Sequence, residues 1–160
     1  MDGFTGSTSL RVEATPEAAF ELVTSLDRLP TWNAAIERVI EQPETLTPEA
    51  EWVVMMHPRG LPRWKSRSRI EEVDRQRFRF RYETRTDDGN PSYATWTWEV
   101  SPSGQGSEVV VRWNVHPKTV GRKLLAAPLR RRMLEHEVSA SLRALGNALR
   151  ETSTAADGSG

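Results

Sequence analysis

The sequence predicts an α+β domain: a seven-stranded curved antiparallel sheet, a long C-terminal helix laid across it, and two short helices after the first strand. Three observations carry this reading. From residue 35 to residue 116 apolar side chains recur with period two, broken only by turn chemistry. From Leu129 to Glu151 the period becomes helical: at roughly 100° per residue, Leu134, Val138, Leu142, Leu145 and Leu149 fall in one narrow stripe. A helix of that length with a single apolar stripe must lie across something broad and apolar, and the alternating strands provide such a surface.

Composition narrows the function classes. At 160 residues the chain can bury a sizeable single core. Lys+Arg and Asp+Glu are both 22, so no global charge favours a nucleic-acid or anionic-membrane partner. The absence of cysteine excludes disulfides, thiolate nucleophiles and cysteine metal sites, and suits a cytoplasmic protein. The start MDGFTGSTS has neither a basic n-region nor an apolar h-region. No apolar run approaches the ~18 residues of a membrane span, so no integral membrane contact is expected. Six tryptophans are the unusual feature, and they fall largely on the predicted strands.

In chain order, residues 1–6 are expected to be flexible and residues 7–151 to form the domain. Ser7–Ala14 alternates, with Leu10 and Val12 opposite Arg11 and Glu13, as in a half-buried strand. Thr15-Pro16-Glu17 supplies an N-cap, a proline at the first helical position and an acid at the positive helix end. Ala19, Phe20, Val23 and Leu26 give that helix its inner face, and Asp27 is expected to cap a second short helix ending near Pro30-Thr31-Trp32. Ala35–Glu41 reads as a strand and Gln42–Glu49 as a loop. The apolar run of Glu51–His57 marks a strand but hides its register.

After the Pro58–Pro62 turn, Arg63–Val73 alternates well: Trp64, Ser66, Ser68 and Ile70 oppose Arg63, Lys65, Arg67 and Arg69. Asp74-Arg75-Gln76 turns into Arg77–Thr84, where Phe78, Phe80 and Tyr82 oppose Arg77, Arg79 and Arg81. A hairpin at Asp87–Pro91 leads to Tyr93–Ser101, which aligns Ala94, Trp96, Trp98 and Val100. Ser103–Gly106 turns into Ser107–His116, with Val109, Val111, Trp113 and Val115 on one face. Pro117–Ala127 is a helical or irregular lead-in, and Pro128 starts the long helix rather than sitting inside it. Residues 152–160 read as a disordered tail by composition.

Four stretches carry a resemblance. They are Val12-Glu13-Ala14-Thr15-Pro16-Glu17-Ala18-Ala19-Phe20, Leu29-Pro30-Thr31-Trp32-Asn33, the Gly106-Ser107-x-Val109 start of the last strand, and Ser141-Leu142-x-x-Leu145. With the element order they resemble the polyketide cyclase/dehydrase and lipid-transport (SRPBCC) branch of the START-like, or Bet v 1-like, superfamily over most of residues 8–150. The resemblance implies a helix-grip fold with a ligand cavity between sheet and C-terminal helix. It leaves the substrate open, since this fold carries lipid carriers, hormone binders, aromatase/cyclases, hydrolases and protein-binding modules.

The inner sheet face collects Trp64, Phe78, Phe80, Tyr82, Trp96, Trp98 and Trp113, with Trp52 and Met56 joining if the third strand has the matching register. Such rings can fill a core or wall a cleft. Beside the leucine stripe the helix offers the small or polar residues Met133, Glu137, Ser141 and Ala144, which favours a cleft for a small hydrophobic or aromatic molecule. Ser66, Ser68, Tyr82 and Glu137 are its polar points, and Tyr82 and Glu137 are the candidates for proton handling. Trp32 reads as an anchor between the short helix and the sheet, near one end of the cavity that the resemblance implies.

The arginine rows face away from this cleft in the same register, so the basic groups that a cyclase uses inside its pocket fall outside. His57, His116 and His136 have no metal-ligand spacing, and no nucleophile elbow, phosphate loop or dinucleotide fingerprint is present. No cofactor, metal or nucleic-acid partner is expected. Three readings remain: a carrier or sensor of a small apolar molecule, a cyclase/dehydratase-type enzyme acting on a poly-β-ketone or related substrate, and a protein-interaction module with a filled core and an arginine face.

Overall fold

The structure is a computed structural model and describes residues 3–119 and 128–157. Strand β1 (Phe4–Val12) is followed by helix α1 (Pro16–Thr24), a 3-10 turn (Leu26–Arg28) and helix α2 (Leu29–Trp32). Six strands follow in sequence: β2 (Ile36–Glu41), β3 (Glu51–Met56), β4 (Trp64–Asp74), β5 (Arg79–Thr86), β6 (Tyr93–Ser103) and β7 (Gly106–His116). The last helix, α3, spans Pro128–Asp157. The seven strands form one antiparallel sheet in the order β1-β7-β6-β5-β4-β3-β2, with β1 carried across to pair with β7. This is the element order read from the sequence, in the helix-grip architecture that the family resemblance implies.

Local chemistry explains the junctions. Thr15 is extended (φ −65°, ψ 156°) and its Oγ1 accepts from the Ala18 N–H at 3.1 Å, so α1 starts where an orphan amide finds a partner. Ser107 Oγ donates to the Ala14 carbonyl at 2.6 Å and ties the β1–α1 corner to the start of β7. The inner faces of β1, β6 and β7 pack on α1 and α3 through Val12, Phe20, Val100, Val109, Val111, Leu142 and Leu145, all nearly fully buried. Burying each large aliphatic side chain contributes about 1.5–3 kcal/mol. The whole stripe of α3, from Leu134 to Leu149, is buried, while Arg132, His136, Arg143 and Arg150 are exposed.

Several boundaries differ from expectation. β1 begins at Phe4, inside the stretch expected to be flexible, because Phe4 to Val12 pairs residue for residue with Val115 to Ser107. Asp27 does not cap a helix: it lies within the 3-10 turn, and α2 starts with no side-chain cap. α3 continues to Asp157, past the expected end at Glu151, since an established helix extends cheaply through residues such as Ala155 and Ala156. Residues 158–160 of the expected tail and 120–127 of the lead-in lie outside the described residues.

The most consequential shift is at Phe78. The strand expected at Arg77 begins at Arg79, and Phe78 sits in the preceding turn with φ 57°. Asp74 Oδ1 accepts from both the Gln76 and Arg77 amides at 3.0 Å, which prolongs the turn and swings Phe78 out of the alternation. Beyond the turn the pairing of β4 with β5 slips between Ile70 and Glu72, so both Ile70, opposite Tyr82, and Val73, opposite Phe80, remain on the core side.

Candidate functional site

Between the sheet and α3 lies a cavity of about 610 Å³. The inner residues of β3, β4, β5 and β6 form its floor: Trp52, Val54 and Met56, then Trp64, Ser66 and Ser68, then Tyr82 and Thr84, then Trp96 and Trp98. Leu29 and Trp32 of α2 close one end, and Leu134, Glu137, Val138 and Ser141 of α3 form the roof. The exposed Pro62, Arg63, Arg85 and Asp88, on the turns after β3 and around the β5–β6 hairpin, frame its mouth.

The floor is held by ring-to-ring contacts. Trp52 meets Tyr82 edge-on at 4.8 Å between centroids and stacks on Phe80 at 5.9 Å, while Trp32 meets Trp98 edge-on at 5.5 Å. Trp98 Nε1 donates to the Tyr82 hydroxyl oxygen at 3.1 Å, which joins β6 to β5 across the floor. Burial pushes the Tyr82 hydroxyl up to about 12, against the smaller downward pull of the Trp98 hydrogen bond. Ser68 and Thr84 share a hydrogen bond of 2.8 Å across the β4–β5 pair. The wall is thus aromatic, with neutral hydroxyls at fixed points and Glu137 on the helix side.

The structure brings together Trp64, Ser66, Ser68, Tyr82, Trp96, Trp98, Glu137 and Ser141 of the sequence-derived set. The other five lie off the lining. Phe80 is fully buried behind Trp52 and Tyr82. Phe78 packs edge-on against Phe20 of α1 at 5.6 Å. Trp113 is buried beside Trp96 and against Gly6, where an added Cβ would stand 2.2 Å from its ring. Met133 and Ala144 are half-buried on α3 but do not reach the cavity wall. The division is geometric: α3 crosses the sheet toward β1, so its lower leucines fill the β1–β7 half and the space opens over β3 to β6.

Sequence reasoning leaves Trp52 and Met56 open, reads Trp32 as an anchor near one cavity end and assigns Leu134 and Val138 to packing; all five line the cavity. The run EWVVMMH has no alternation, and only pairing with β4 (Trp52 opposite Ser68, Met56 opposite Trp64) settles which of its residues face inward. Thr84 had a usable signal, since it continues the Phe80–Tyr82 alternation.

The outer sheet face bears the arginine rows, and they are matched by carboxylates. Arg67 bonds to Asp87 and Glu51, Arg79 approaches Glu72 and Glu99, Arg81 lies 2.9 Å from Glu71, and Arg85 pairs with Glu83 at 2.6 Å. A depression of about 740 Å³ on this face is lined by such groups, including Arg81, Glu83, Thr97 and Arg112. It is the larger hollow, but its charges are neutralised in place and its lining is mostly polar, with Tyr93 and Trp113 as its rings. At the cavity mouth, Arg63 holds Glu37 through Nε and Nη2 at 2.8–3.0 Å, which keeps the Glu37 carboxyl below its ordinary range. His57 sits 3.8 Å from Glu37, His116 stacks on Tyr93, and His136 is exposed. Among the described residues no three His, Asp or Glu side chains converge on a metal-binding point, and no helix is long and apolar enough to cross a membrane.

Comparison with known proteins agrees with this architecture. No curated protein matches the sequence. Among solved structures, the domain superposes on Ara h 8.0201 (TM-score 0.73, 16% identity, 93% of this chain and 99% of that one). It is similarly close to TTHA0849 from Thermus thermophilus (TM-score 0.75, 18% identity, covering 94% and 99%). The di-domain ARO/CYC StfQ from the steffimycin biosynthetic pathway matches with a TM-score of 0.76 at 14% identity, over 95% of this chain and 52% of that one. At these identities the likeness is one of fold. The sequence itself, over residues 4–150, matches the family described as polyketide cyclase / dehydrase and lipid transport, and the chain belongs to that family.

Proposed function

We propose that this domain is a carrier or sensor that binds a small hydrophobic or aromatic molecule between its sheet and α3. The observation that carries this reading is the aromatic-walled cavity, whose roof is kept open by Ser141 where the neighbouring stripe positions are leucine or valine. Its volume of about 610 Å³ falls within the ~300–1,000 Å³ usual for small-molecule sites. A filled core would leave no such space, and the ion pairing of the outer face removes much of its attraction for an acidic partner.

A cyclase-type enzyme is the second reading, favoured by one observation: Tyr82 and Glu137 share the cavity wall. It predicts turnover of a poly-β-ketone that drops at least tenfold in Tyr82→Phe or Glu137→Gln. The carrier reading ranks first because Arg67, Arg79 and Arg81 are ion-paired with carboxylates on the outer face, and Arg63 and Arg85 reach only the mouth.

Titration with anilinonaphthalene sulfonate, followed by probe and tryptophan fluorescence, tests the carrier reading. Saturable binding to the wild type, weakened at least tenfold by Ser141→Leu in a variant of unchanged circular dichroism, is the expected result. Equal binding by the two proteins, or none by either, would overturn it.

A further inference from the structure

We infer that the ligand is not a plain hydrocarbon but an apolar molecule carrying a hydrogen-bond acceptor, a carbonyl or ether oxygen, which the Tyr82 hydroxyl receives. The inference rests on the carrier reading above and adds the chemical class of what is carried. Its basis is the direction of one hydrogen bond. An indole N–H can only donate. Trp98 Nε1 therefore fixes the Tyr82 oxygen as the acceptor of their 3.1 Å bond, and the hydroxyl proton must go elsewhere. Among the described residues nothing accepts it, although both rings line the cavity. A buried hydroxyl with an unused proton is completed by an acceptor from the cavity contents. The same apolar burial keeps Tyr82 protonated throughout the neutral range, so it stays a donor.

The arrangement repeats one step along β5. Ser68 and Thr84 form a closed pair, and whichever oxygen donates, one hydroxyl proton remains without an acceptor among the described residues. Tyr82 and Thr84 are two positions apart on one strand and so share a face. The β5 side of the cavity thus offers donors in a row against walls of tryptophan, and Trp98 is the positioning residue that aims the first of them. A ligand edge bearing acceptors fits this row, whereas one bearing only donors leaves the protons facing each other.

Fluorenone and fluorene share one ring skeleton and differ by a single carbonyl, so the pair isolates the acceptor. Equilibrium dialysis of each compound should be carried out against wild-type protein and Tyr82→Phe. Tyr82→Phe is expected to weaken fluorenone by about threefold to tenfold, the worth of one net hydrogen bond, and to leave fluorene unchanged. Fluorene serves as the control for an intact cavity. An affinity ratio between the two compounds that is the same in wild type and Tyr82→Phe overturns the acceptor inference and leaves the carrier reading standing. If neither compound binds the wild type, the carrier reading falls and this inference falls with it.

Discussion

Gly6 lies directly opposite Trp113 across the β1–β7 pair, and the indole occupies the space a side chain would take. A Cβ there would sit 2.2 Å from two ring atoms, far inside contact distance, and Trp113 is hemmed in by Trp96 on its other side. Gly6→Ala should cost about 1–3 kcal/mol, read as a lower urea midpoint at unchanged m-value. Nothing in the alternation of β1 announces this, because glycine leaves no mark in a period-two pattern. Tyr82 shows the opposite case. Its inward position is legible from Phe80-Tyr82, yet its role depends on a hydrogen bond from Trp98, on the neighbouring strand β6. Side-chain type and face are local properties, while partnership is not.

At the scale of elements, strands with clean alternation gave up their registers in advance and the others did not. Ser66 and Ser68 are buried and Lys65 and Arg69 exposed, as Arg63–Val73 predicts. The β4–β5 turn defeated the same logic, because Asp74 consumes two amides and moves the strand start from Arg77 to Arg79. That makes Asp74 the residue to test. The Arg77 amide above all, then the Gln76 amide and the neighbouring guanidinium groups, hold its carboxyl below the ordinary value of 3.8. Asp74→Ala removes the turn's acceptor and should lower the urea midpoint at unchanged m-value. Asp74→Asn, which retains an acceptor oxygen, should recover part of it. No loss in either variant would mean that the turn is held by the Phe78–Phe20 contact instead, and an equal loss in both would assign the effect to the carboxylate charge. The cap of α1 offers a parallel measurement, with Thr15→Ala expected to lower stability by ~1 kcal/mol in the same assay.

For the molecule as a whole these groups set the pH window of stability. On the acid side the depressed carboxyls of Glu37, Asp74 and Asp87 bind protons less readily in the fold than in the unfolded chain. Their contribution is present above the ordinary values of 4.5 and 3.8, and is lost as pH falls through the lower folded values. All three are held by exposed arginines or a surface turn, so salt should flatten the ion-pair share of this limb while the Asp74 amide share persists. On the alkaline side Tyr82 works in the other sense. The unfolded tyrosine loses its proton near 10.0, whereas the folded one keeps it to about 12, so the unfolded state gains stability as pH rises through that interval. Stability should hold level between these limits and then decline from pH 10 toward 12, by more in the wild type than in Tyr82→Phe. Denaturant melts at pH 8, 10 and 11 on both proteins measure that difference. Carried to pH 12, where the free fold itself begins to lose the Tyr82 proton, the same comparison with fluorenone present asks whether occupying the cavity deepens the alkaline limb, as it must there if the ligand's oxygen holds that proton: equal limbs at pH 12 with and without ligand would place the carbonyl away from Tyr82.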